Sequence, residues 1–258
     1  MKARQFISTL ALTGTLLIGP VAGTALAADD GRALFKAMSD FMSKQQKFSF
    51  DYNSSVEAVT REGEKLQFAS SGTVAINRPD KIKVNRIGGF TNIETVFDGT
   101  TFSLLGRNAN AYAQVEAKGT LSELAGKLAN AGIEPPGADL LSTDIYDSLM
   151  DDEVTIKHIS SAYIDGMECE YLAFQAPDVD WQMWIKGGDQ PVPIRYVITS
   201  KHVPQAPQYT IETRNWKFGP DAVADFAFDK PADAKKVNLS QLPQIDEVPD
   251  AADAGEPK

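Results

Sequence analysis

From residue 47 onward, apolar side chains recur at every second position. Phe48, Phe50 and Tyr52 alternate with polar neighbours, and Leu66, Phe68, residues 72–76, Ile82, Val84 and Ile87 carry the same period forward to residues 91–97, 101–105 and 112–115. Strict alternation places one side of a strand in a dry environment and the other in water. The interruptions Asn77-Arg78-Pro79-Asp80, Gly88-Gly89 and Asp98-Gly99 have turn chemistry. Connections this short force neighbouring strands to be antiparallel, so the pattern predicts a meander of about six strands.

The period then changes. Thr120-Leu-Ser-Glu123 is a capping-box pattern, and Leu121, Leu124 and Leu128 repeat at helical spacing before Gly132 and the break at Pro135-Pro136-Gly137. Residues 139–150 give a second, shorter helical stretch, completing an insert of about 30 residues that reads either as a crossover or as a lid. Alternation resumes at residues 154–159 and 163–174. Next comes a hairpin whose arms carry Trp181, Met183 and Ile185, then Ile194, Tyr196 and Ile198, around a five-residue turn at 187–191. Burying a large apolar side chain contributes about 1.5–3 kcal/mol, so this face must meet a core, a lid or a ligand. A last strand at 208–216 and a docking segment with Phe226 and Phe228 bring the count to about eleven strands in two runs. Ahead of the first run, Leu34, Met38, Phe41 and Met42 form one apolar stripe, predicting a helix over residues 29–45.

The two ends read differently from this middle. Residues 1–27 combine Lys2 and Arg4, an apolar run and Ala25-Leu26-Ala27, which is the layout of a cleaved secretory leader. No cysteine follows to carry acyl chains, and the apolar run is shorter than the ~20 residues of a membrane span. Residues 238–258 are rich in Pro, Asp, Ala and Glu and are expected to be a disordered tail, leaving 28–237 as one domain. The formal net charge of −10 disfavours nucleic acid and anionic membrane surfaces as partners. A single cysteine, Cys169, excludes an internal disulfide and reads as a small buried hydrophobe. His158 and His202 have no ligand at metal-site spacing, the acidic groups 151–153 and 178/180 lack a calcium-loop pattern, and no nucleophile elbow or phosphate loop occurs. The expectation is a protein exported to the periplasm, with no catalytic residue, metal or cofactor.

The residues Gly72-x-x-x-x-Asn77-Arg78-Pro79-Asp80, Phe97-Asp98-Gly99, Tyr112 and Trp184-Ile-x-x-x-x-x-Pro191-x-Pro193-Ile194-Arg195, in that order behind a leader and an amphipathic helix, together resemble the DUF2092 family of predicted periplasmic proteins. That family looks related to the LolA/LolB-like lipoprotein carriers. The resemblance implies an α+β, mainly β fold: a strongly curved antiparallel half-barrel of about eleven strands, with helices across its open concave side. It also implies a groove for a hydrophobic ligand, either a lipid or lipoprotein acyl chains. On that reading Phe48, Phe50, Tyr52, Trp181, Met183, Ile185, Ile194, Tyr196 and Ile198 line or back the groove, and Leu34, Met38, Phe41, Leu124 and Leu128 sit on the lids. The alternative is a non-enzymatic sensor or protein-interaction module of the cell envelope on the same fold, with an envelope protein as partner.

Overall fold

The computed structural model describes residues 23–131, 133, 137–222, 224–242 and 248. Most of the expected leader, and the expected tail beyond residue 242 apart from residue 248, lie outside them.

Helix α1 (Gly23–Ser43) starts ahead of the expected residue 29, because the alanine-rich stretch before Asp29 is itself a good helix former. Six strands follow: β1 (Lys47–Val59), β2 (Lys65–Asn77), β3 (Lys81–Gly88), β4 (Asn92–Phe97), β5 (Thr101–Gly106) and β6 (Ala111–Glu116). The insert folds as α2 (Leu121–Asn130), a 3-10 turn (Ala138–Leu141) and α3 (Ile145–Leu149). Five strands then complete the second run: β7 (Thr155–Ile164), β8 (Met167–Gln175), β9 (Val179–Lys186), β10 (Pro193–Ser200) and β11 (Gln208–Phe218). A two-residue β12 (Lys235–Lys236) adds to β6 in parallel, beyond the eleven antiparallel strands.

All twelve strands form one sheet, in the order β12-β6-β5-β4-β3-β2-β1-β11-β10-β9-β8-β7. The two meanders are joined by β1 and β11, paired from Phe48↔Phe218 to Val56↔Tyr209. The end strands β12 and β7 do not pair with each other, so the sheet is open.

The sheet is also strongly curled, as the path of α1 shows. Close to its middle, Gly31 rests on β7 so closely that a Cβ there would lie 3.0 Å from His158 N. Near its end, Met42 O accepts from Arg78, just past β2. Those two points are about 16 Å apart along the helix, whereas six strand spacings in a flat sheet would span about 29 Å. Even with the reach of a side chain, only a curled sheet brings β7 and β2 to the same short helix. The fold is therefore the expected one, mainly β with helices on the concave side.

Cross-strand register identifies the concave face. Phe48↔Ile76↔Ile82↔Phe97↔Phe102 forms one row, and Leu172↔Met183↔Tyr196↔Ile211↔Ser54↔Ser70 another. On β4 and β5 both faces are dry: Val96 and Leu105, on the convex side, are as buried as Phe97. The cover there is the segment after β11, whose Phe228 ring meets Tyr112 at 6.0 Å and whose Ala227 O accepts from Lys83.

Candidate functional site

The expected groove residues do come together. Phe48, Phe50, Tyr52, Trp181, Met183, Ile185, Ile194 and Tyr196 are buried in one apolar cluster, with Ile198 half-buried against it. Over them lies α1, whose Phe35, Met38 and Met42 are 0% exposed, flanked by half-buried Leu34 and Phe41. Phe35 meets Phe174 edge-on at 5.0 Å and Phe41 meets Phe218 at 5.4 Å. Leu140 and Ile145, from the 138–141 turn and α3, complete this cover.

Leu124 and Leu128 lie elsewhere on the same face. Helix α2, fixed by a capping box between Thr120 and Glu123, packs them over Phe97, Phe102 and Ala117. The concave face thus has separate covers: one over β7 to β2, and another over β3 to β5, with Ile82 packed against both. A third piece, the 3-10 turn Leu239–Gln241 with buried Leu242, packs over Ile93, Leu104 and Ala111. These tail residues fall past the expected domain end at 237, and two leucines in an otherwise polar segment account for their docking.

Polar contacts tie the main cover down at a few points. Arg78, in the turn after β2, is only 8% exposed and has no carboxylate partner among its hydrogen bonds. Its guanidinium donates to Met42 O at 2.6 Å and Gln45 O at 3.0 Å, at the C-terminal end of α1, and to Leu141 O at 3.3 Å and Ser142 O at 2.7 Å, past the 138–141 turn. Carbonyls left over at helix ends carry partial negative charge, which suits a buried cation. The ring of Phe48 lies beneath the guanidinium, 5.1 Å away. The next residue, Pro79, accepts from Leu121 N at 2.8 Å, so one turn holds the ends of α1, the 138–141 turn and α2. Sequence reasoning missed this role because an Arg in a turn reads as solvent-facing. The available signal was its place within Asn77-Arg78-Pro79-Asp80.

Two further ties complete the attachment. Buried Ser39 of α1 accepts from Tyr146 N at 2.9 Å. Tyr196 on β10 donates to Asp139 at 2.9 Å. Burial pushes the Asp139 carboxyl above its usual pKa, partly opposed by the Tyr196 hydrogen bond; burial followed by the nearby Asp139 charge raises the Tyr196 phenol well above its own. The Trp181 indole N–H, facing the same dry interior, has no acceptor among the described residues.

Glycine shapes the floor at one point. Tyr52 lies across Gly72, where a Cβ would come within 2.6 Å of the tyrosine ring and 2.1 Å of Asn85 O. The first residue of the family-like motif thus makes room for a ring on the neighbouring strand.

The convex side carries two more of the motif's residues, Trp184 and Arg195. Tyr171, Trp184, Arg195 and Glu212 form a row across β8 to β11, with the two rings stacked at 4.5 Å, the guanidinium 5.5 Å above the indole, and Arg195 Nε donating to Glu212 at 2.6 Å. Cross-strand pairs of this kind stabilise a sheet.

The side chains considered for chemistry are engaged elsewhere. His158 pairs with Glu170 at 2.7 Å, His202 with Asp178 at 3.2 Å and Lys201 with Asp180 at 3.2 Å. Cys169 is buried, and burial, followed by Glu170, raises its thiol pKa, which makes it a poor nucleophile. Among the described residues, no group of three or more His, Cys, Asp or Glu side chains is placed to hold a metal, and no helix is long and apolar enough to cross a membrane.

Residues 31–240 match the family model described as "Predicted periplasmic protein (DUF2092)". Among solved structures, the chain is similar to LprF from Mycobacterium bovis, at 11% identity over 81% of this chain and 100% of that one, with a TM-score of 0.47. It is also similar to an uncharacterized conserved protein from Thermus thermophilus, at 9% identity over 81% and 99% of the two chains and a TM-score of 0.44. A LolA superfamily protein from Nitrosomonas europaea matches at 9% identity over 73% and 93%, with a TM-score of 0.32. No curated protein has a matching sequence.

Proposed function

This chain belongs to the DUF2092 family of predicted periplasmic proteins, and we propose that it is an exported, non-enzymatic binding protein that takes an aliphatic chain, from a lipid or an acylated protein, on its concave face. Export in this reading uses the leader at residues 1–27, cleaved after Ala27. The floor of the site is the cluster from Phe48 to Ile198 named above, and its movable wall is α1 with the 138–141 turn and α3.

One observation carries the proposal. The main cover is joined to the β2–β3 turn through Arg78, which holds two separate covering segments by their main-chain carbonyls alone. Water can satisfy both the carbonyls and the cation once the cover lifts, so the polar cost of opening is recoverable. The apolar cost is not, because a curled face this large must be covered by something dry. An aliphatic chain is the simplest replacement for Phe35, Met38 and Met42 against Met183, Trp181 and Phe50.

The test is native mass spectrometry of the mature protein purified from its own periplasm, followed by denaturing extraction. A discrete added mass that extracts as an acylated molecule is expected. A protein that emerges clean, and that takes up no single-chain lipid when titrated with one, would overturn the reading and move the envelope protein-interaction role to first place.

A further inference from the structure

The three covers of the concave face are held very unequally, and the weakest one sits over a stretch of floor made partly of small residues. Past β11 the chain crosses the convex face, rounds the edge at β6 and returns on the concave side. On the way Asn110 donates to Asp233 at 2.9 Å, Lys235 N donates to Asn110 O at 2.9 Å, and Val237 N donates to Tyr112 O at 2.9 Å. β12 is only two residues long, and both are exposed. The turn at 239–241 then places Leu239 and Leu242 over Ile93, Leu104 and Ala111.

Beneath these leucines the sheet offers little of its own. Ile93 pairs across to Gly106, and Gly106 to Ala111, so the floor of β5 and β6 at this level is a glycine and an alanine. Side chains that small leave space above the sheet, and Leu242, only 5% exposed, fills it. The same cross-strand row continues from Ile93 through Arg86 and Gly72 to Tyr52 and Thr213, inside the main cluster. The patch under the tail and the main groove therefore lie on one concave face, along a path that passes Arg86 and the Tyr52 ring over Gly72.

We propose that residues 239–242 are a built-in plug, and that the Ile93–Leu104–Ala111 patch beneath them is a binding site for the distal part of a linear aliphatic chain that displaces Leu239 and Leu242. The plug rests on the groove reading above and extends it, giving the path an exit end and a segment of the chain that moves. Two leucines are a like-for-like substitute for a run of methylenes, with no polar group to desolvate. Releasing them frees the short parallel β12 pairing, including the bonds from the Lys235 and Val237 amides, at an exposed edge where water replaces them. By contrast, α1 is held by three large side chains with no exposure and by the buried contacts of Arg78 and Ser39. When a chain enters, the tail gives way first.

The experiment uses the full mature chain and lysophosphatidylcholine, a zwitterionic single-chain lipid, kept below its micelle-forming concentration. Amide hydrogen exchange is read with and without lipid, and uptake is read by native mass spectrometry for the wild type and the L239S/L242S double variant. With lipid, the Lys235 and Val237 amides lose protection while the β1–β2 ladder keeps it, and the double variant half-saturates at a lipid concentration lower by about threefold or more, because the competing plug no longer occupies the site. If the wild type takes up lipid but both amides stay protected, or the double variant binds no better, the plug is refuted and the groove reading stands. If neither protein takes up lipid, both readings fall.

Discussion

Replacing Arg78 with Met keeps most of the aliphatic stem over Phe48 and removes all four donations to the covering segments. A hydrogen bond to a charged group contributes about 1.5–3 kcal/mol net, but four such bonds from one guanidinium are not additive, since water takes over the carbonyls when the cover lifts. The loss expected for the docked cover is about 3–4 kcal/mol, near the low end of what breaking a buried charged contact costs. At about 1.4 kcal/mol per decade, that multiplies the population of the lifted cover by roughly 10²–10³. Amide exchange reports it directly. Gln45 N, which donates to Met42 O, and Ser142 N, which donates to Asp139 O, should exchange faster by two to three decades, about the factor above, while the β1–β2 ladder keeps its rate. Arg78→Lys keeps the charge, yet one ammonium cannot reach both segments, so it should fall between wild type and Met. This role for Arg78 is refuted if both variants exchange like the wild type at these two amides. It is equally refuted if all amides accelerate together, because Arg78 would then stabilise the whole fold and not the cover.

Four further outcomes follow from the same geometry. Burial raises the Asp139 pKa above its unfolded value, so its contribution favours the docked turn at acid pH and is lost as pH rises through the raised value; melting temperature compared between wild type and D139N across pH 4–8 should show a step that the variant lacks. Asp98 and Glu123, whose pKa values are lowered, give the opposite slope in both proteins and cancel in the comparison. Tyr196→Phe removes the donor to Asp139 and should destabilise by about 1–3 kcal/mol in urea unfolding, while raising the pH at which the D139N-sensitive step occurs. Gly72→Ala should cost about 1–3 kcal/mol by overpacking, and pairing it with Tyr52→Ala should recover part of that loss in a double-mutant cycle; strict additivity would show that the ring and the glycine do not share space. Met183→Ala, at a site with no exposure, should cost about 2–5 kcal/mol by denaturant melting and lower lipid uptake in the titration described above.

The strands were legible because their signal is local. Alternation at Phe48, Phe50 and Tyr52, or at Trp181, Met183 and Ile185, reports which side faces inward without reference to the rest of the chain, and the structure puts both sets in one cluster. The helical insert was legible from the Thr120–Glu123 cap for the same reason. Pairing of β1 with β11 was not legible, since nothing in either segment's period says which distant strand will lie beside it. Nor was the burial of both faces of β4 and β5: Val96 and Leu105 read as ordinary apolar residues until the segment after β11 is seen to cross the convex side. Of the cover, its apolar stripe was visible in Leu34, Met38 and Phe41, but its attachments were not. Arg78, Ser39 and Asp139 are polar residues in or beside turns and helices, where composition favours water. Only the assembled fold reveals that their partners are main-chain carbonyls, an amide and a phenol.

The β1–β11 seam also sets an order of events. Phe48 and its partner Phe218 are roughly 170 residues apart in sequence, so the centre of the sheet cannot form until almost the whole domain is available. The meanders β2 to β6 and β7 to β10 contain mostly neighbour-to-neighbour pairings and can assemble early, each with one apolar face still uncovered. Helix α1, made first, has its main contacts on β7, made late. A chain arranged this way stays unfinished for most of its synthesis, and its two halves become one sheet only when the last long strand closes on the first.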